Sequence, residues 1–210
     1  MNHLVLLGDS VFANALYVSG GPDVRTLLQA CMPDDWRVTL LAVDGDSTED
    51  VTEQLQHLPH DASHLVVSVG GNDALDHLDF LTAPAASVAA ALEGLAQIAM
   101  DFERAYQQML QDVLQRQLPT ALCTIYYPRF DDPILQRLAV TALTVFNDVI
   151  IRQALTAKLP LLDLRLICDD AEDYANSLEP SVVGGAKIAT TIARLVQEHD
   201  FTRGDTTVFI

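Results

Sequence analysis

Five short apolar runs punctuate the chain, at His3–Leu7, Arg37–Val43, His64–Val69, Thr120–Tyr126 and Leu159–Leu164. They are rich in Val, Leu and Ile and alternate little with polar residues, the pattern of strands covered on both faces. The stretches between them carry a helical period. Val88, Leu92, Leu95, Ala99, Phe102, Tyr106, Leu110 and Val113 recur at steps of three and four, which predicts one buried face of a long helix. Leu135, Leu138, Ala142, Phe146 and Val149 predict a second. Pro180-Ser181 precedes a third pattern, from Val183 to about Gln197, with Ser181 as its N-cap. Strands alternating with helices predict βαβ units and a parallel sheet.

No linker, repeat or low-complexity tract interrupts this order, so residues 1–210 read as a single domain. The Pro/Ala-rich stretch Thr82–Ala86 reads as a loop. Asp200–Ile210 lacks a helical pattern. Its β-prone end, Thr206–Ile210, reads equally as a segment that docks on the body or a partner's sheet edge and as a loose tail.

Polar clusters follow three of the predicted strands: Gly8-Asp9-Ser10, Asp44-Gly45-Asp46-Ser47-Thr48 and Gly70-Gly71-Asn72-Asp73. In a parallel sheet all three reach the carboxyl edge, where ligands bind. Gly, Asp, Ser and Asn are also ordinary turn residues, so any one cluster alone says little. Together they supply a hydroxyl, a glycine and an amide. Ser10 is then a candidate nucleophile. The N–H groups of Ser10 and Gly45, with the Asn72 side chain, are candidate donors to an oxyanion. Glycine at 45 would let a backbone N–H approach the substrate without a Cβ in the way. Gly45-Asp46-Ser47 repeats the nucleophile triplet, but Ser47-Thr48 reads as the N-cap of a helix starting near Glu49. Cys123 reads as a core thiol, and Asp163 with Arg165 as a structural pair. Tyr126, Tyr127, Pro128 and Arg129 read as one side of the pocket, with Arg129 in a surface ion pair.

Charge narrows the partners. The net charge is -17, and a surface that acidic repels nucleic acid and anionic membranes, so neither a nucleic-acid nor a membrane partner is expected. No apolar segment reads as long enough to span a bilayer. Cys31, Cys123 and Cys168 are odd in number and lack C-x-x-C spacing, so neither a disulfide framework nor a zinc site is expected. No signal peptide is visible, and the reading is a reduced, cytoplasmic protein.

Gly8-Asp9-Ser10-Val11, Gly45 and Gly70-Gly71-Asn72-Asp73, followed by the segment Asn176–Ala189, resemble the SGNH (GDSL) hydrolase superfamily. The resemblance spans most of the chain in the expected order. It implies a flavodoxin-like, three-layer α/β/α fold with a five-stranded parallel sheet and helices on both faces. It also implies hydrolysis of a small-molecule ester or related acyl bond, with Ser10 as nucleophile and no metal or organic cofactor.

The last block departs from the family. Where the family places Asp-x-x-His, this chain has Asn176 and Glu179. Three readings follow. Glu179 replaces the histidine as the base, its carboxylate held by a hydrogen bond from the Asn176 amide, and burial raises its pKa. Alternatively the fold is a catalytically silent ligand binder. In the third reading another histidine serves, and His77 is nearest to Asn72. His57, His60 and His64 flank the third strand at the opposite edge, and His199 ends the last helix. A different chemistry, Mg²⁺ held by Asp9, Asp44, Asp46, Asp73 and Asp76, is a weaker alternative.

Overall fold

The structure, a computed structural model, describes residues 2–210. In chain order its main elements are β1 (Asn2–Gly8), α1 (Val24–Cys31), β2 (Trp36–Leu40), α2 (Val51–Gln54), β3 (His64–Ser68), α3 (Gly71–Leu75) and α4 (Val88–Leu114). Then come β4 (Thr120–Cys123), α5 (Pro133–Ala157), β5 (Leu161–Leu162), α6 (Leu164–Ile167), α7 (Val182–Glu198) and β6 (Val208–Phe209). The strands form a single sheet in the order β2-β1-β3-β4-β5-β6, and each neighbouring pair is parallel.

The sheet has six strands where five were expected. The sixth is the C-terminal segment, which docks through Leu161↔Val208 and Leu162↔Phe209. Several strands are shorter than their apolar runs. The fifth run ends early because Asp163 accepts a hydrogen bond from the Arg165 N–H and so starts α6.

Strand geometry sends successive side chains to opposite faces. Leu4 and Leu6 of β1 pack with Val24 and Leu28 of α1 and Ile188 and Ile192 of α7. Val5 and Leu7 pack on the other face with Val51, Tyr106, Leu110 and Val149 from α2, α4 and α5. Both faces are thus covered, and Cys123 lies buried in the first of these cores.

The long helices begin at side-chain caps, Ser87 to the Ala90 N–H for α4 and Asp132 to the Ile134 N–H for α5, with Pro133 in the first turn. Ser181 caps α7 as expected. The buried face expected along α4 is only half realised. Phe102, Tyr106, Leu110 and Val113 are buried, whereas Val88 and Leu92 are exposed. The α5 pattern splits likewise, with Leu138 exposed and Phe146 and Val149 buried.

One expectation fails on composition: α5 is long and apolar enough to cross a bilayer by length and hydropathy alone. In this fold it packs Ala139, Leu143, Phe146, Val149 and Ile150 inward.

Candidate active site

The strand order places the reversal between β1 and β3, since β2 lies to one side of β1 and β3 to the other. At such a point the chains leaving the two strands diverge and open a crevice at the carboxyl edge. Two glycines make that divergence possible. Gly8 has φ +124, and a Cβ there would sit 1.8 Å from the Ser68 carbonyl oxygen. Gly70 has φ +121 and lies against the Phe102 ring. Gln54 then brackets Gly8, accepting from its N–H at 2.8 Å and donating to its carbonyl at 2.7 Å.

Beyond Gly8 the chain turns so that the Phe12 and Ala13 N–H groups both donate to the Asp9 carbonyl. This turn presents Ser10 to the crevice. The Ser10 hydroxyl donates to Glu179 Oε1 at 3.1 Å, in a contact where both residues are buried. The second carboxylate oxygen, Oε2, is buried with no hydrogen-bond partner among the described residues. Burial holds the Glu179 pKa above its ordinary value; the bond from Ser10 lowers it, and the Asp44 charge adds to the rise.

Glu179 lies on a loop, yet the loop is tied at every step. The Ala175 N–H donates to the Glu179 carbonyl. Tyr126 donates its hydroxyl hydrogen to the Leu178 carbonyl. Buried Asn14 donates to the Pro180 carbonyl at 3.0 Å and accepts from the Val24 N–H at 3.0 Å, so it ties the acid's loop to the start of α1. Asn176 holds Glu179 differently than expected. Its amide does not reach the Glu179 carboxylate; its Oδ1 accepts from the backbone N–H groups of Leu178 and Glu179, both at 2.8 Å. The reason is local: an Asn side chain two or three residues upstream closes an Asx turn more readily than it reaches a side chain facing away from it.

The donors fall out unevenly. Among the described residues, the Ser10 and Gly45 N–H groups have no acceptor within the protein. Asn72 lines the crevice beside Ser10 and Glu179. One of its amide hydrogens is committed to the Asp46 carbonyl at 2.8 Å, which leaves the other for a ligand. Gly45 has φ +88, and a Cβ there would meet no protein atom within 4 Å. Its glycine therefore answers a left-handed turn, and Gly45 is not among the residues lining the crevice.

The other candidates separate from this group. Ser47 does not cap a helix. Its N–H and hydroxyl both donate to Asp50 Oδ2 at 2.7 Å, and the helix begins later, at Val51. His77 lines the crevice without a bond to Ser10. His64 packs against Trp36 and Phe201, and His199 against Phe201 and Phe209. The five aspartates proposed for Mg²⁺ have separate partners where these are seen: Asp44 accepts from Tyr17, Asp46 from Gln54 and Asp73 from Thr48. Tyr126 and Pro128 line the crevice, whereas Tyr127 and Arg129 do not. Arg129 reaches the Asp169 carbonyl and lies over the Tyr174 ring instead of forming an ion pair. Asp163 and Arg165 pair at 2.6 Å, as expected.

Two features escaped sequence reasoning. Asp9, buried beneath Ser10, has its pKa pushed up to about 7, mainly by burial, against a bond from the Val11 N–H, with the Glu179 and Asp73 charges adding to the rise. The crevice is also far more apolar than its polar floor suggested. It encloses about 910 Å³, its open mouth included, between walls that include Phe80, Leu95, Ile98, Ala142 and Leu143. The available signal was the weakly charged stretch from Leu78 to Met100.

A doubly wound parallel sheet with a serine at its switch point defines the class of three-layer α/β proteins that the family resemblance implied. The sequence profile of the GDSL-like lipase/acylhydrolase family matches residues 6–184. The chain belongs to that family, a family of hydrolytic enzymes. No curated protein sequence matches it significantly.

Solved structures of low identity share the fold. An extracellular lipase from Streptomyces rimosus is 15% identical with a TM-score of 0.67, covering 95% of this chain and 100% of that one. Phospholipase A1 from Streptomyces albidoflavus NA297 is 16% identical with a TM-score of 0.67, covering 94% and 99%. The M. smegmatis aryl esterase is 13% identical with a TM-score of 0.65, again covering 94% and 99%.

Proposed function

We propose that the protein hydrolyses a small-molecule ester through an acyl-enzyme on Ser10, with Glu179 as the proton acceptor. The observation that carries this reading is the buried 3.1 Å bond from the Ser10 hydroxyl to Glu179. Ser10 Oγ attacks the ester carbonyl carbon while its proton passes to Glu179 Oε1. The carbonyl oxygen becomes an oxyanion facing the N–H group of Ser10 and the free amide hydrogen of Asn72, the two donors that line the crevice. Collapse breaks the bond to the alkoxy oxygen, which leaves with the proton from Glu179. Water then attacks the acyl-Ser10, giving its proton to Glu179; the acyl–Oγ bond breaks, Ser10 Oγ takes that proton back, and the acid departs.

A carboxylate at its ordinary pKa is a weak base toward a serine hydroxyl. Burial that raises the Glu179 pKa narrows this mismatch. Oε2, buried without a partner, receives no hydrogen bond that would stabilise the ionised acid.

The test is labelling by an alkyl fluorophosphonate followed by mass spectrometry. Labelling is expected at Ser10, and its loss in Ser10→Ala. Labelling at Ser47 overturns the assignment. An unlabelled wild type that still binds an alkyl ester analogue makes the protein a silent ligand binder.

A further inference from the structure

We infer, on the reading of Ser10 as the nucleophile, that the crevice is a pocket for an extended, uncharged aliphatic acyl chain, and that Phe80, seated on Gly94, determines how much chain it admits. At about 910 Å³ with its mouth, the crevice lies at the large end of ordinary ligand pockets, roughly 300–1,000 Å³. An acetyl group would leave most of it to water.

The walls are apolar and the mouth is acidic. The 3₁₀ turn Leu78–Thr82 contributes Leu78, Phe80 and Leu81, α4 contributes Leu95 and Ile98, and α5 contributes Leu143. Among the described residues, no Lys or Arg lines the crevice. Asp76 precedes the lining residue His77, Asp79 lies between Leu78 and Phe80, and Asp131 and Asp132 follow the lining residue Phe130; all four acids are exposed. A chain ending in a carboxylate would meet like charge at the mouth and no counter-charge within, where an unpaired ion is costly. The acyl side of the ester is the fitting occupant, because the acyl group stays on Ser10 through both steps while the alcohol must leave between them.

Phe80 has a particular seat. The turn that carries it packs beside α5, and its ring reaches across to α4. A Cβ at Gly94 would lie 2.7 and 2.9 Å from Phe80 Cε2 and Cζ, well inside the separation at which carbon atoms pack. Gly94 lies within α4, where glycine is unfavourable. What it permits here is the close approach of the ring to the helix backbone. A methyl group at position 94 would push the ring off α4 and back toward α5, across the crevice.

Binding to Ser10→Ala, measured by calorimetry, separates the pocket from the chemistry. The probes are octanamide, butanamide and the monoamide of suberic acid, which matches octanamide in length but ends in a carboxylate. Octanamide is expected to bind at least ~10-fold more tightly than butanamide, since each methylene that enters is worth up to about fourfold. The suberic monoamide is expected to bind at least ~10-fold more weakly than octanamide. Adding Gly94→Ala is expected to remove most of the preference for octanamide. Adding Phe80→Ala to that variant is expected to restore it, because no ring is left to displace. With the wild type, p-nitrophenyl octanoate is expected to have a higher kcat/KM than p-nitrophenyl acetate, and octyl acetate no advantage over ethyl acetate. Equal binding of octanamide and butanamide, or tight binding of the suberic monoamide, overturns the pocket. A preference unchanged by Gly94→Ala, or not restored by Phe80→Ala, overturns the role of Phe80. A gain from chain length on the alcohol side alone overturns the acyl assignment. A protein that binds octanamide in this order but hydrolyses no ester keeps the pocket and loses the hydrolase reading.

Discussion

Two hydroxyl–carboxylate pairs lie at the carboxyl edge of the same sheet, and they have opposite characters. Thr124 donates to Asp163 at 2.9 Å, and Ser10 donates to Glu179 at 3.1 Å. Burial alone would raise the Asp163 pKa, but bonds from Arg165 and Thr124, with the Arg165 charge, bring it below the ordinary value. Thr124 is itself occupied, accepting from the Leu164 N–H at 2.9 Å. In the Ser10–Glu179 pair no cation faces the acid, one of its oxygens is unpartnered, and its pKa is raised. The geometry of a hydroxyl on a carboxylate is therefore not what distinguishes the two pairs. The satisfied pair holds structure together; the unsatisfied one retains a capacity to take a proton.

Removing the hydroxyls should give the largest contrast. Ser10→Ala is expected to lower turnover by more than ~10³-fold with little change in melting temperature. Thr124→Val is expected to leave the rate per folded molecule intact and to cost about 1–3 kcal/mol of stability, read by urea denaturation. Equal effects on rate from the two would dissolve the distinction.

Neutralising the acids comes next. Glu179→Gln should reduce kcat by about 10²-fold without loss of stability, because it removes a charge that is buried without a cation. Asp163→Asn should destabilise by about 1–3 kcal/mol, because it leaves half-buried Arg165 without its counter-charge. Denaturation and steady-state rates on both proteins check this pairing.

Titration gives a smaller contrast with a definite sign. Asp9, at about 7 in the folded protein against an ordinary 3.8, contributes stability that is complete below about pH 4 and is lost as the pH rises toward 7. The slope for one such group cannot exceed about 1.4 kcal/mol per pH unit. Asp163, held low, contributes stability above the ordinary carboxylate range and loses it in acid. Asp9→Asn should flatten the neutral side of the pH–stability profile and leave the acid side in place. Activity should rise with pH through a limb above the ordinary carboxylate range, since Glu179 must be ionised to accept a proton.

The mildest change is Asn176→Ala. It deletes two bonds to the backbone of the Glu179 loop, and should cost about 1 kcal/mol and slow turnover less than Glu179→Gln does.

Much of this was legible in the chain because the core writes its pattern locally. Val, Leu and Ile runs marked five strands, and the order Gly-Asp-Ser, Gly, Gly-Gly-Asn-Asp placed the site at one edge. The sixth strand was ambiguous because two paired residues leave too little pattern to distinguish from a tail. The partner of Asn176 was misjudged because a short amide satisfies nearby backbone before it reaches a neighbouring side chain. The exposed half of α4 was misread because its period is unbroken at Phe102. Whether an apolar stripe is covered depends on what the fold places against it, which no window of residues records. Asp9 was legible as a turn residue but not as a buried acid, since burial is decided by distant elements.

Ser10 and Glu179 are separated by 169 positions, and the staple from Asn14 to Pro180 spans almost as many. On the ribosome, the Ser10 turn therefore emerges long before Glu179 is made. A nascent chain halted at any point before the Glu179 loop carries the hydroxyl but no site, so acquisition of fluorophosphonate reactivity during synthesis would time the docking of the last quarter of the protein.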